Sequence, residues 1–217
     1  MDFNESDLLA IQKAHSEDSL WSSDILKGVK EKIKSQLLEE CTHCCYCRRP
    51  FKSEFKMVID IEHILPSSIF RELAFDKRNL SLSCKRCNMV IKKDRLDFLN
   101  GNLEKIGNYL KGKSKLSRYV GQCPRIKNIA KLNRIIYSSF NYKFIHPILD
   151  LYANHLDYMN IQINDKSLVV YVPKTNKGVY TKDFFLLSEF QTRDLNVNIQ
   201  SLYDPENISG YDIPPVL

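Results

Sequence analysis

Three features of the sequence predict an α+β fold. Two C-x-x-C pairs, Cys44/Cys47 and Cys84/Cys87, bracket 36 residues. Inside that bracket lie two short runs of strand formers, and a helical stretch follows it. Apolar residues ahead of the bracket recur with a helical period, while a hairpin signature lies far behind it. The expected organisation is an N-terminal helical segment over 1–40, a metal-stapled core over 41–100, a basic helical segment over 101–158, and a β-hairpin with a C-terminal tail over 159–217.

Leu8, Leu9 and Ile11 suggest one apolar face of a first helix. A second starts at Ser22 or Ser23 as N-cap, with Asp24 in its opening turn. Ile25, Leu26, Val29, Ile33, Leu37 and Leu38 then fit a 3.6 period and lead the chain to the first cysteines. Cys44 to Pro50 reads as a tight knuckle. Phe55 to Ile64 is rich in strand formers and is limited by Pro66. Asp76 to Asn79 is turn-like, Leu80 to Ser83 a short strand, and Asn88 to Leu99 a helix ended by Asn100-Gly101. Further helical spacing runs through Ile126, Ile129, Leu132, Ile135 and Ile136, and a His146-Pro147 segment is expected to lead into a helix. Two β-branched runs flank Asn164 to Ser167, a hairpin signal, and Lys177-Gly178 reads as a turn. The tail after Ser201 is punctuated by Asp204-Pro205, Ser209-Gly210 and Pro214-Pro215.

With 27% charged and 43% hydrophobic residues, the composition is that of an ordinary soluble protein. No apolar run approaches the ~20 residues of a membrane span. The first residues carry neither a basic nor an apolar leader region, so a cytoplasmic location and no membrane partner are expected. Seven cysteines, six of them in two tight clusters, suit metal binding in a reducing compartment rather than a disulfide framework. The net charge of +6 is unevenly spread. From Lys105 to Leu149 there is no Asp or Glu, against ten Lys and Arg. Aromatics are interleaved, a combination that favours a polyanion through counterion release and base stacking. Lys111, Lys113, Lys115, Arg118, Arg125, Lys127, Lys131 and Arg134 are therefore the expected nucleic-acid contacts. A solvated helix face beside an aromatic core is the competing explanation.

Four thiolates from two C-x-x-C pairs satisfy the tetrahedral demand of a structural Zn²⁺. Cys44, Cys47, Cys84 and Cys87 are the expected ligands. Cys41 to Cys44 is itself a C-x-x-C, so Cys41 or His43 could enter the set instead. Cys45 and Cys123 have no evident partner. Between the pairs, Asp60 and Glu62 alternate with Ile59 and Ile61, so a regular strand projects both carboxylates to one face. His63 points the other way unless the strand ends or bends there. Glu62 could ligate a hard cation, and His63 could take a proton from water. His146 and His155 lack an acid or cysteine at ligand spacing and are expected to be structural.

Cys44-x-x-Cys47, Glu62-His63-Ile64-Leu65-Pro66, Asn79-Leu80 and Cys84-Lys85-Arg86-Cys87-Asn88 together resemble the HNH endonuclease family with its ββα-metal core. The resemblance covers about residues 41 to 98. It implies a ββα-metal (HNH) core with zinc knuckles, flanked by N-terminal helices and by a helical plus β-hairpin C-terminal extension. It further implies hydrolysis of a phosphodiester, with His63 as general base, Glu62 and Asn88 as ligands of a catalytic Mg²⁺ or Mn²⁺, and Asn79 positioning the loop that faces His63. Two positions depart from the family pattern. Glu62 stands where many members have Asp, and Ile91 stands where many have Lys, with Lys92 one residue later. The order of core, basic connector, His-Pro segment and hairpin is also similar to the HNH subunits of Septu-type anti-phage systems, including retron-associated ones. That likeness implies a defence nuclease working beside a separate ATPase, with DNA favoured as substrate and RNA the alternative. The rival reading is a zinc ribbon that grips nucleic acid, or acts as an adaptor, without cutting.

Overall fold

The computed structural model describes residues 1–52, 54–111, 134–163 and 166–190. Helix α1 spans Glu5–His15 and opens with a capping box in which Asn4 and Asp7 satisfy each other's backbone N–H groups. Its Leu8 and Leu9 are half exposed, and the fully buried residue is Ala14, so its apolar contact is narrower than expected. Ser23 caps a 3₁₀ turn, Asp24–Leu26, which runs into helix α2, Lys27–Glu40. Val29, Ile33 and Leu37 form the buried stripe of α2.

The core sheet is one antiparallel pair. Strand β1, Ile59–His63, faces β2, Leu80–Cys84, in a register that sets Glu62 opposite Ser81 and His63 opposite Leu80. The strand expected from Phe55 starts later, because Lys56–Val58 is a 3₁₀ turn. After β2 the expected α-helix is instead a π-helix, Arg86–Lys92, closed by Lys93 N–H donating to Asn88 O at 2.8 Å. Gly101, with φ +54°, opens helix α3 (Gly101–Lys111) rather than closing the previous helix.

Strands β3, Leu156–Ile163, and β4, Lys166–Pro173, form the expected hairpin, and the 158/159 boundary expected from the sequence falls inside β3. The segment after His146-Pro147 forms turns and a 3₁₀ helix, Tyr152–Asn154, rather than an α-helix. Lys177-Gly178 is not a turn but lies in the first turn of helix α4, Asn176–Phe184. Gly178 is needed there: a Cβ would stand 1.9 Å from the His155 carbonyl oxygen.

The extension packs on the core through aromatic rings. Tyr46 of the knuckle stacks on Phe185 at 4.1 Å, and Phe144 packs on Phe98 at 4.4 Å. Tyr171 and Tyr152 donate hydroxyl hydrogen bonds to the carbonyls of Cys47 and Tyr46, at 2.6 and 3.1 Å. Arg86 reaches the carbonyls of Phe185 and Leu186 and the carboxylate of Glu189. No helix among the described residues is long and apolar enough to cross a membrane.

Candidate functional site

The four sulfurs of Cys44, Cys47, Cys84 and Cys87 lie within 4.8 Å of one another, all buried. Cys47 and Cys84 are 3.8 Å apart. Zn–S bonds of about 2.3 Å in a tetrahedron give an edge of about 3.8 Å, so the group fits a structural zinc. The backbone explains the clustering. Arg48, with φ +59°, turns the knuckle, while Cys44 N–H bonds Arg49 O and Arg48 N–H bonds Cys44 O. Cys45 N–H then bonds Leu82 O, which ties the knuckle to β2. Burial opposes ionisation of Cys44, yet hydrogen bonds from the neighbouring thiols hold it well below the usual thiol range. Cys41 and His43 stand outside this cluster and line a separate cavity.

His63 ends β1 at the wall of an open groove of about 200 Å³. Its Nε2–H donates to the Ala74 carbonyl at 3.0 Å, which fixes the tautomer, and Nδ1 has no hydrogen-bond partner among the described residues. Trp21 closes the ring from one side, edge to face, with centroids 4.2 Å apart. Burial lowers the His63 pKa to about 4, so the ring is neutral at pH 7.

Asn79 builds the frame for this histidine. Its side chain accepts from Leu65 N–H at 2.8 Å and donates to the carbonyls of Leu65 and Leu73 at 3.0 and 3.1 Å. The loop pinned in this way carries Ala74, the acceptor of the His63 bond. Asn88 is half-buried in the same groove, its side-chain amide donating to the Ile61 carbonyl of β1 at 3.4 Å, and Lys93, Asp94, Ser67 and Ser68 also line it.

Glu62 is elsewhere. It is 0% exposed, and its Oε1 accepts from Tyr46 hydroxyl at 3.0 Å and pairs with Lys92 Nζ at 2.7 Å. Ser83 hydroxyl donates to Oε2 at 3.4 Å. Burial raises the Glu62 pKa and Lys92 opposes that rise. A Mg²⁺ or Mn²⁺ held jointly by Glu62 and Asn88 therefore does not fit this arrangement, because a lysine ammonium already neutralises the carboxylate. The cause is the regular strand. Glu62 and His63 keep alternate faces, as β geometry dictates, and no bend brings them together. Asp60 shares the Glu62 face, where its Oδ1 pairs with Lys85 at 3.1 Å.

Lys92, noted in the sequence one residue past the family position, has a role that sequence reasoning did not assign. Its Nζ also donates to the His63 carbonyl at 2.8 Å, so it binds both residues at the end of β1. Lysine stands four places after Asn88, at the last residue of the π turn, while Ile91 holds the position three places on. The signal in the sequence was the lysine standing one residue later than the family pattern. Trp21 carried no signal beyond being the single tryptophan. Of the basic residues expected to contact nucleic acid, Lys111 and Arg134 are exposed, and Lys113, Lys115, Arg118, Arg125, Lys127 and Lys131 lie outside the described residues, as does Cys123.

A two-stranded antiparallel sheet followed by a helix, stapled by four cysteines and ending β1 in a histidine, defines a ββα-metal architecture. Residues 44–93 match the HNH endonuclease family model. The Septu protein PtuB of Bacillus thuringiensis is 35% identical over 86 residues, which cover 39% of this chain. The chain spans 30% of the length of that relative. No solved structure matches.

Proposed function

We propose that the groove over His63 hydrolyses phosphodiester bonds in nucleic acid. The observation that carries this reading is the His63 hydrogen bond. With Nε2–H held by Ala74, Nδ1 keeps the lone pair of a neutral ring that lines the groove, able to take a proton from an attacking water. Asn88 and the exposed ammonium of Lys93 line the same groove, where they can orient and attract a phosphate. No step is assigned to a divalent ion at Glu62, given its pairing with Lys92. DNA is the favoured polymer and RNA the alternative. The Septu likeness supports a role as the nuclease effector of an anti-phage system that acts beside a separate ATPase.

The test is cleavage of plasmid and of total RNA by the purified chain with Mg²⁺ or Mn²⁺, beside His63→Ala. Cutting lost in the variant, with zinc content unchanged, is the expected result. The locked state of Glu62 favours one second reading, a zinc ribbon that binds nucleic acid without cutting. Equal salt-sensitive binding by both proteins, with no cutting by either in the presence of every candidate partner subunit, would decide for that reading.

A further inference from the structure

A second cavity, of about 220 Å³, lies between the first knuckle and the His146-Pro147 segment, lined by residues that the His63 groove does not use. Its two carboxylates are already matched. Glu40 pairs with Lys77 at 2.7 Å, and Asp150 pairs with Lys177 at 2.6 Å. Its arginine is not matched. Arg48 lies over the Tyr152 ring at 5.1 Å and has no carboxylate partner among the described residues. Its planar fork is thereby held in place with its donors unspent.

His146 supplies a second donor. The residue is 2% exposed, and its Nδ1 accepts from the backbone N–H groups of Ile148 and Leu149 at 3.2 and 3.1 Å. The proton of the neutral ring therefore sits on Nε2. That nitrogen has no hydrogen-bond partner among the described residues, and His146 lines the cavity. Ser81 lines the same wall. The wall thus offers one unpaired guanidinium and a buried N–H donor.

We propose that this cavity binds a phosphate monoester, with Arg48 as the charged clamp and His146 Nε2–H as a positioning donor. Arginine–phosphate pairing is bidentate and charge-assisted, which a lone oxyanion in a donor-lined cavity rewards. Two sources share that chemistry: a free nucleoside monophosphate and the phosphorylated 5′ end of a nucleic-acid strand. The cavity is too small for a duplex.

The zinc-loaded full chain is titrated by calorimetry with inorganic phosphate, adenosine monophosphate, and a short oligonucleotide with either a 5′-phosphate or a 5′-hydroxyl. Arg48→Gln is the test variant, and Arg49→Gln, at the exposed neighbouring arginine, is the control. Phosphate and at least one monoester are expected to bind, with affinity falling tenfold or more in Arg48→Gln and staying within twofold in Arg49→Gln. Binding of the mononucleotide but not the phosphorylated strand assigns a free ligand; the reverse assigns a strand end. The 5′-hydroxyl strand gaining as much as the 5′-phosphate strand overturns the proposal. So does the absence of binding by the wild-type chain at millimolar phosphate. Should Arg48→Gln fail to fold, the imidazole NMR signals of wild-type His146 decide. A shift of these signals on phosphate titration supports the site, and an unmoved signal during measurable binding overturns it.

Discussion

Lys92 Nζ and Glu62 Oε1 meet at 2.7 Å, with 1% and 0% of their side chains exposed. The pair joins the end of the π-helix to the end of β1, and Lys92 adds a hydrogen bond to the His63 carbonyl. Removing one partner leaves a buried charge uncompensated, so Glu62→Gln is expected to cost about 3–5 kcal/mol. Removing both, as Glu62→Leu with Lys92→Met, is expected to recover most of that loss. Urea midpoints of the wild type, Glu62→Gln, Lys92→Met and the double variant check it. Cleavage by a folded double variant would also show that the Glu62 carboxylate is dispensable for chemistry.

Asn79 satisfies three buried backbone groups and fixes the loop that carries Ala74. Asn79→Ala should destabilise the chain by at least about 2 kcal/mol, since those groups stay buried without partners. On the proposed function it should also slow cutting beyond what its unfolded fraction explains. Rates measured well below the melting temperature separate the two effects.

The sulfur cluster holds the ends of the core together. One zinc per chain is expected by elemental analysis, and a strong chelator should unfold the core, lowering the thermal midpoint. Cys87→Ser should lose the ion. Cys41→Ser should keep it, because Cys41 is outside the cluster.

His146 makes stability fall with acid. Burial lowers its pKa from 6.5 to about 3, with Asp150 opposing that shift and Lys177 adding to it. Above pH 6.5 the ring is neutral in both states and contributes no pH dependence. Below that, the unfolded chain takes a proton that the folded chain refuses, down to about pH 3. The slope approaches about 1.4 kcal/mol per pH unit. His146→Asn, whose amide oxygen can still accept from the backbone, should reduce the loss in urea stability between pH 6.5 and 5.

Gly178→Ala places a Cβ 1.9 Å from the His155 carbonyl oxygen. That oxygen cannot retreat freely, as it accepts from Lys174 N–H at 2.8 Å. A loss of about 2 kcal/mol is expected by thermal unfolding.

Spacing alone made the four-sulfur cluster legible, because two C-x-x-C pairs leave little freedom in where four sulfurs go. The strand Leu80–Cys84 and the hairpin were legible for a similar reason, alternation between turn-forming residues. What escaped was conformation set by closure over distance. The π turn at Arg86–Lys92 depends on the pull of Glu62 and His63 on Lys92, contacts about thirty residues away in sequence. Motif adjacency suggested that Glu62 and His63 act together, whereas an unbroken strand separates them. Gly178 looked like a turn residue because its reason, a neighbour's carbonyl, lies outside its own segment.

The two tyrosine hydroxyls that grip the knuckle carbonyls set the true edge of this unit. A fragment trimmed to residues 44–93 would keep every sulfur yet strip the rings from Tyr46, the same residue that anchors Glu62. The stretch that can be recognised is therefore shorter than the stretch that must be inherited. Recombination that moved the cysteines and histidine without the hairpin and α4 would transplant the signature and leave its foundations behind.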